Sequence, residues 1–225
     1  MTTPLATEKA AATEEGAAEL PPAYVLVEVR TISLEMLANT VAQEPPAPAG
    51  CRVRRWRRPP LDTYRRLFAA VGGPWGWTGR LIMTDDELRE TLRDERVEIW
   101  RLWTGSSVAG FVELDRRVPG EIEIVYFGLV PGQIGRGLGS FLLHWAIHHA
   151  WTTPGVPRMP RGIPAEPMRR LWLHTCDRDH PGALAVYRRA GFQMFDDYTG
   201  PEAYPSDFVA PPGLSGPATP EAHEG

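Results

Sequence analysis

Residues 131–146 read PGQIGRGLGSFLLHWA, with Gly135, Gly137 and Gly139 at every second position and a dense apolar run directly behind them. The run before them, EIEIVYFGLV (121–130), alternates and is rich in β-branched and aromatic residues, so strand, bare loop and buried helix follow one another. In that order, unpaired N–H groups and the positive end of the helix dipole can hold a phosphate, and glycine is needed where a Cβ would block close approach. Two familiar phosphate loops do not fit. A Walker loop needs Gly-Lys-Ser/Thr, and the sole lysine is Lys9; a dinucleotide fingerprint needs a third glycine where Ser140 or Leu142 stands. The pyrophosphate of coenzyme A is the ligand that remains, against the plain alternative of a turn that only closes a helix N-terminus.

The rest of the chain supplies one mixed domain around this loop. YVLVEVRTI (24–32) and CRVRRWRR (51–58) read as strands, separated by a Pro-rich loop at 43–50. LDTYRRLFAAV (61–71) places Leu61, Tyr64, Leu67, Phe68 and Val71 on one helical face, and TDDELRETLRD (84–94) opens with Thr84 three residues before Glu87, the pattern of a capping box. VEIWRLWTG (97–105), SVAGFVELD (107–115) and 121–130 form a meander. After the helix to about Trp151 come a Pro-rich loop (152–168), the strand RLWLHTC (170–176), the helix PGALAVYRRAG (181–191) and a short strand FQMFDD.

Residues 1–23 and 199–225 are rich in Ala, Thr, Pro and Glu, and are expected to be disordered tails around a domain at 24–198. They carry net charges of −3 and −4 against −4 for the whole chain, which leaves the domain near +3. That suits a small anionic ligand without demanding nucleic acid. Cys51 and Cys176 form no metal-type pair and are expected to be free thiols. No apolar run approaches the ~20 residues of a membrane span, and residues 1–23 lack the pattern of a signal peptide, so no membrane partner and a cytoplasmic location are expected.

At residues 121–146 and in ALAVYRRAGF (183–192) the chain resembles the GNAT superfamily of acyl-CoA-dependent N-acyltransferases, over about residues 50–196. The resemblance implies an α/β (α+β) domain with a mixed, mostly antiparallel central sheet flanked by helices. It implies acetyl-CoA as acyl donor, no metal, and an amine acceptor. The family motif runs Gln or Arg, two residues, Gly, one residue, Gly or Ala; here Ile134 stands in the Gln/Arg place, with Gln133 one position early. By resemblance, the cofactor side comprises Phe127, Leu129, Val130, Ile134, Gly135, Arg136, Gly137, Leu138, Gly139 and Ser140, with His180 where the family often has an asparagine. Glu123 matches the general-base glutamate that some members carry, with Glu113 on the neighbouring strand as its competitor. Tyr187 matches the tyrosine that protonates the leaving thiolate. Trp75 and Trp77, two apart in VGGPWGWTGR (71–80), are expected on the acceptor side, either as a pocket wall or as core.

Other constellations carry less. His144 and His148 lie one helical turn apart without a third ligand, His174 and Cys176 share one strand, and the arginines at 52–58 read as a solvated basic strand. Two function classes follow: an acetyltransferase acting by direct attack in a ternary complex, and a noncatalytic acyl-CoA-binding or interaction module.

Overall fold

The computed structural model describes residues 23–153 and 166–209; the expectations for 1–22, 154–165 and 210–225 lie outside the described residues. Seven strands form one sheet: β1 (Tyr24–Met36), β2 (Cys51–Arg55), β3 (Val97–Thr104), β4 (Ser107–Asp115), β5 (Glu121–Leu129), β6 (Arg170–Cys176) and β7 (Gln193–Pro205). Their order is β2-β3-β4-β5-β6-β1-β7, antiparallel throughout except for β5 against β6. The parallel pair needs a crossover, and α3 (Leu138–Thr152) lies within it.

The helices divide between the two faces. α1 (Leu61–Gly72) and α2 (Asp85–Arg93) cover one: Tyr64, Phe68, Val71, Leu88 and Leu92 meet Ile99 and Phe111. α3 and α4 (Ala183–Arg189) cover the other, where Leu142, Leu143, Ala146 and Ile147 pack on Val112, Leu114, Ile122, Ile124, Leu171 and Leu173. The capping box at α2 forms as expected: the Glu87 N–H donates to Thr84 Oγ1, and the Glu87 carboxylate accepts from the Thr84 N–H at 2.8 Å.

Two departures from the sequence reading share one cause. β1 extends to Met36 and lies between β6 and β7, and β7 runs on through residues 199–205, which were expected to be tail. The first half of β1 gives β7 a continuous ladder from Tyr24↔Pro205 onward, so residues with little apolar content of their own are ordered by a partner strand. The ribbon is tied down at Gly76, where a Cβ would lie 2.3 Å from the Tyr204 ring, and by Thr78 Oγ1, which donates to the Ala203 carbonyl at 2.8 Å. The ordered domain therefore extends past residue 198.

Candidate functional site

The parallel ladder between β5 and β6 ends early. Its last rung is Ile124↔Leu173, although β5 continues to Leu129 and β6 to Cys176. Val125 forms a bulge against β4, between the rungs Leu114↔Ile124 and Glu113↔Tyr126, and a bulge bends its strand away from the sheet plane. Beyond it β5 pairs with β4 alone. The Val130 N–H donates to the Ala109 carbonyl, so by antiparallel alternation the N–H groups of 126 and 128 also face β4, while those of Phe127 and Leu129 face the gap toward β6.

The glycine loop continues from the open end of this gap. Pro131–Gln133 make one tight turn, Ile134 is extended and packs against the core, and Gly135 and Gly137 take φ of +82° and +75°, the left-handed region that favours glycine. Gly137 is the N-cap of α3 and caps it with no side chain; no acidic residue stands in the first turn. The first helical bond runs from the Phe141 N–H to the Gly137 carbonyl, so the N–H groups of Leu138, Gly139 and Ser140 sit in the uncapped first turn. Cβ atoms at Gly135 and Gly137 would meet nothing within 4 Å, and one at Gly139 would meet only Leu129, at 3.8 Å. The loop is bare toward solvent, with the Arg136 guanidinium beside it donating to Gln133 Oε1 at 2.6 Å. Backbone N–H groups at an uncapped helix start with one cation beside them are an arrangement that can hold an anion.

Tyr187 approaches the gap from the α3–α4 face. It is 7% exposed, with its ring edge-to-face against Phe127 at 6.1 Å. Burial pushes its phenol well above the usual range, with the charges of Asp179 and Cys176 adding to the effect, so it holds its proton.

Two carboxylates lie on the opposite face. Glu123 is 6% exposed, and its Oε1 lies 3.2 Å from His174 Nδ1. Glu113 is fully buried; it accepts from the Tyr64 hydroxyl at 2.5 Å and from Arg80 Nη2 at 2.6 Å. The Arg80 guanidinium also stands over the Tyr126 ring, and although burial opposes its charge, Glu113 and the two phenols hold it firmly protonated. Both Glu113 oxygens are thus occupied by structural partners.

No family model and no curated protein matches the sequence. Among solved structures, the chain is similar to a GCN5-related N-acetyltransferase from Sphaerobacter thermophilus, at 19% identity over 81% of this chain and 53% of that one, with a TM-score of 0.52. It is also similar to a GCN5-related N-acetyltransferase from Kribbella flavida, at 16% identity over 81% of this chain and 60% of that one, again at 0.52. This chain has a GNAT fold. It spans little more than half the length of these two relatives.

Within the GNAT fold, several expected residues move to other roles. The Val130 N–H is taken by β4 and its side chain packs with the α1–α2 core, so it offers no donor to the gap. Trp77 is a core plug: its ring meets Phe68 at 5.6 Å and Tyr126 at 5.4 Å, its indole N–H donates to Asp179 at 3.0 Å, and Cβ atoms at Gly72 and Gly128 would fall 2.2 and 3.4 Å from it. The Trp75 ring stands edge-on to His180 at 5.1 Å, next to the Asp179 that holds the Trp77 indole. His180 itself accepts from the Gly182 N–H at 3.0 Å, ordering the turn before α4.

Residue order associates His174 only with Cys176 on its own strand and gives no sign of the contact with Glu123. Strand alternation puts His174, Trp172 and Cys176 on one side of β6, but only the sheet order brings that side next to Glu123. Among the described residues no group of three or more His, Cys, Asp and Glu could hold a metal, and no helix is long and apolar enough to cross a membrane. Cys51 and Cys176 form no disulfide, and Cys176 Sγ lies 4.0 Å from the Tyr204 hydroxyl. In the basic strand, Arg52 and Arg55 lie over Trp103 and Trp100, so part of its charge covers aromatic surface.

Proposed function

We propose that the protein is an N-acetyltransferase that moves an acetyl group from acetyl-CoA to an amine by direct attack in a ternary complex. The observation that carries this reading is the parting of β5 from β6 after Ile124↔Leu173, which turns the Phe127 and Leu129 N–H groups into a gap leading to the uncapped first turn of α3. A pantetheine arm needs a slot of that kind, and a pyrophosphate needs the cradle at its end. In this reading Gly135, Arg136, Gly137, Leu138, Gly139 and Ser140 hold the pyrophosphate, with Ile134 anchoring the loop from beneath.

The chemistry then divides between the faces of the sheet. The ammonium form of the acceptor loses a proton to the Glu123–His174 pair, and the amine lone pair forms the new C–N bond at the thioester carbonyl. N–H groups in the gap stabilise charge on the carbonyl oxygen. The C–S bond breaks, the thiolate takes the phenolic proton of Tyr187, which burial keeps in place at neutral pH, and the second proton of the nitrogen leaves as the amide forms and restores the phenol. Trp75 remains as the aromatic surface for the acceptor side.

The test follows free thiol while the protein is incubated with acetyl-CoA and a broad panel of amines. Acceptor-dependent thiol release is the expected result; tight CoA binding with no release across the panel makes the protein a noncatalytic acyl-CoA-binding module instead. Gly137→Asp, which puts a negative charge and a strained residue in the cradle, should weaken CoA binding by more than ~2 kcal/mol in calorimetry. Unchanged affinity would mean that the anion sits elsewhere.

A further inference from the structure

Glu123 and His174 meet at the point where the sheet opens. The last rung of the parallel ladder is Ile124↔Leu173, so Glu123 stands one residue before the parting on β5 and His174 one residue after it on β6. Ile122, Ile124, Leu171 and Leu173 all belong to the core under α3, which puts Glu123 and His174 together on the other face, at the apex of the gap. His174 Nδ1 lies 3.2 Å from Glu123 Oε1, and the imidazole is the more exposed partner, with 16% of its side chain accessible against 7%.

Resting on the acyl-transfer reading above, we infer that His174 Nε2 is the atom that takes the proton from the acceptor, and that Glu123 is the positioning residue that holds the ring in the required tautomer. A carboxylate beside Nδ1 favours the proton on Nδ1, which leaves Nε2 with a free lone pair on the far edge of the ring. Uptake of the ammonium proton by Nε2 makes an imidazolium, and the adjacent Glu123 carboxylate stabilises it at the moment the amine attacks. The proton leaves afterwards to solvent from the exposed edge. Glu123 is poorly placed to do this alone, because its carboxylate is nearly enclosed and the imidazole beside it is the more exposed of the two.

The polar and titratable groups around the pair come from β6, β1, β7 and the turn before α4. On β6, Cys176 lies two residues on; across the ladder on β1 stands Ser33, and beyond it Asp196 on β7. Two rungs before Glu123↔Trp172, Arg170 pairs with Glu35 at 2.7 Å and with Glu121 at 3.2 Å, so this cation is already held by two other carboxylates. From the turn before α4, Asp179 accepts from the Thr175 hydroxyl and the Cys176 N–H and is directed to the end of β6.

The pH profile of kcat/KM for thiol release decides between the two groups. His174→Gln should lower the rate by ~10²-fold or more and abolish the acidic limb, with melting temperature and CoA affinity little changed. Glu123→Gln should cost less, and its acidic limb should survive, because the imidazole that takes the proton is still present. An acidic limb that vanishes in Glu123→Gln overturns the inference whatever His174→Gln does, since the carboxylate is then the base itself. Imidazole nitrogen shifts of the free wild-type protein, assigned by the signal missing in His174→Gln, give a second readout that needs no turnover. The expected signal is an Nδ1–H tautomer; a neutral Nε2–H form of His174 would sink the assignment even for an active enzyme. A wild-type protein that shows the expected tautomer but releases no thiol with any amine instead removes the functional reading, and the base role with it.

Discussion

Glu113 and Glu123 are the same residue type on neighbouring strands, on the same face of one sheet, and they are held in opposite ways. Around Glu113 everything is closed: Tyr64 from α1 and Arg80 from the loop before α2 occupy both oxygens, Tyr126 stacks under the guanidinium, and the carboxylate has no contact with solvent. Around Glu123 one imidazole is the partner at the carboxylate, and it stands at the mouth of the parted strands. A buried carboxylate with full partners cements a core; one with a titratable partner at an opening can move a proton. The difference lies in what the neighbouring elements bring, since nothing about the two glutamates separates them chemically.

The largest way to break the comparison is Glu113→Gln. It strands the buried Arg80 charge, so unfolding in urea should show about 3–5 kcal/mol of lost stability. A neutral result would mean that the two regions are less different than their partners suggest. Trp77→Ala should come next, at about 3 kcal/mol, because the ring fills the space between α1, β5 and the turn at Asp179. If that variant keeps its melting temperature but raises the acceptor KM, Trp77 returns to the acceptor wall.

A third carboxylate sharpens the contrast through pH. Burial alone would raise the Glu98 carboxyl, but His149, Arg116, Trp100 and Arg55 outweigh it and hold its pKa at about 2, against an ordinary value of 4.5. Because the folded pKa is the lower one, the stability that this group contributes is present above about pH 4.5 and is lost as pH falls toward 2. The difference between wild type and Glu98→Gln should therefore shrink by about 3 kcal/mol across that window. A difference that stays constant from pH 5 to pH 2 would contradict the clamped state. The smallest expected effect is that of Glu123→Gln on stability, about 1 kcal/mol or less, because the change leaves no buried cation unpaired. A loss as large as that of Glu113→Gln would make Glu123 a second cement.

The bare glycine loop and the elements around it were readable from residue order because their signals are local. Gly135 and Gly137 sit where φ is positive, Thr84 and Glu87 close a cap within one turn, and the apolar run after Gly139 is the buried face of α3. The motif at 183–192 likewise placed Tyr187 on a short helix, and the structure adds its edge-to-face contact with Phe127. The acceptor side was harder to read. Trp75 and Trp77 lie two apart and would share a side in an extended strand, but the turn through Gly76, with φ of +71°, sends one ring to His180 and the other into the core.

The sequence by itself determined the things that a few consecutive residues can enforce: the signs of φ at the loop, the caps, the alternation of each strand and the apolar faces of the helices. Tertiary structure decided which of these meet. The placing of β1 between β6 and β7 ordered residues 199–205, the early end of the β5–β6 ladder opened the gap, and the juxtaposition of β5 and β6 gave Glu123 its histidine. These outcomes depend on the register between strands that are distant in the chain, and register is set by the packing of the whole sheet against its helices, which no short stretch of residues carries.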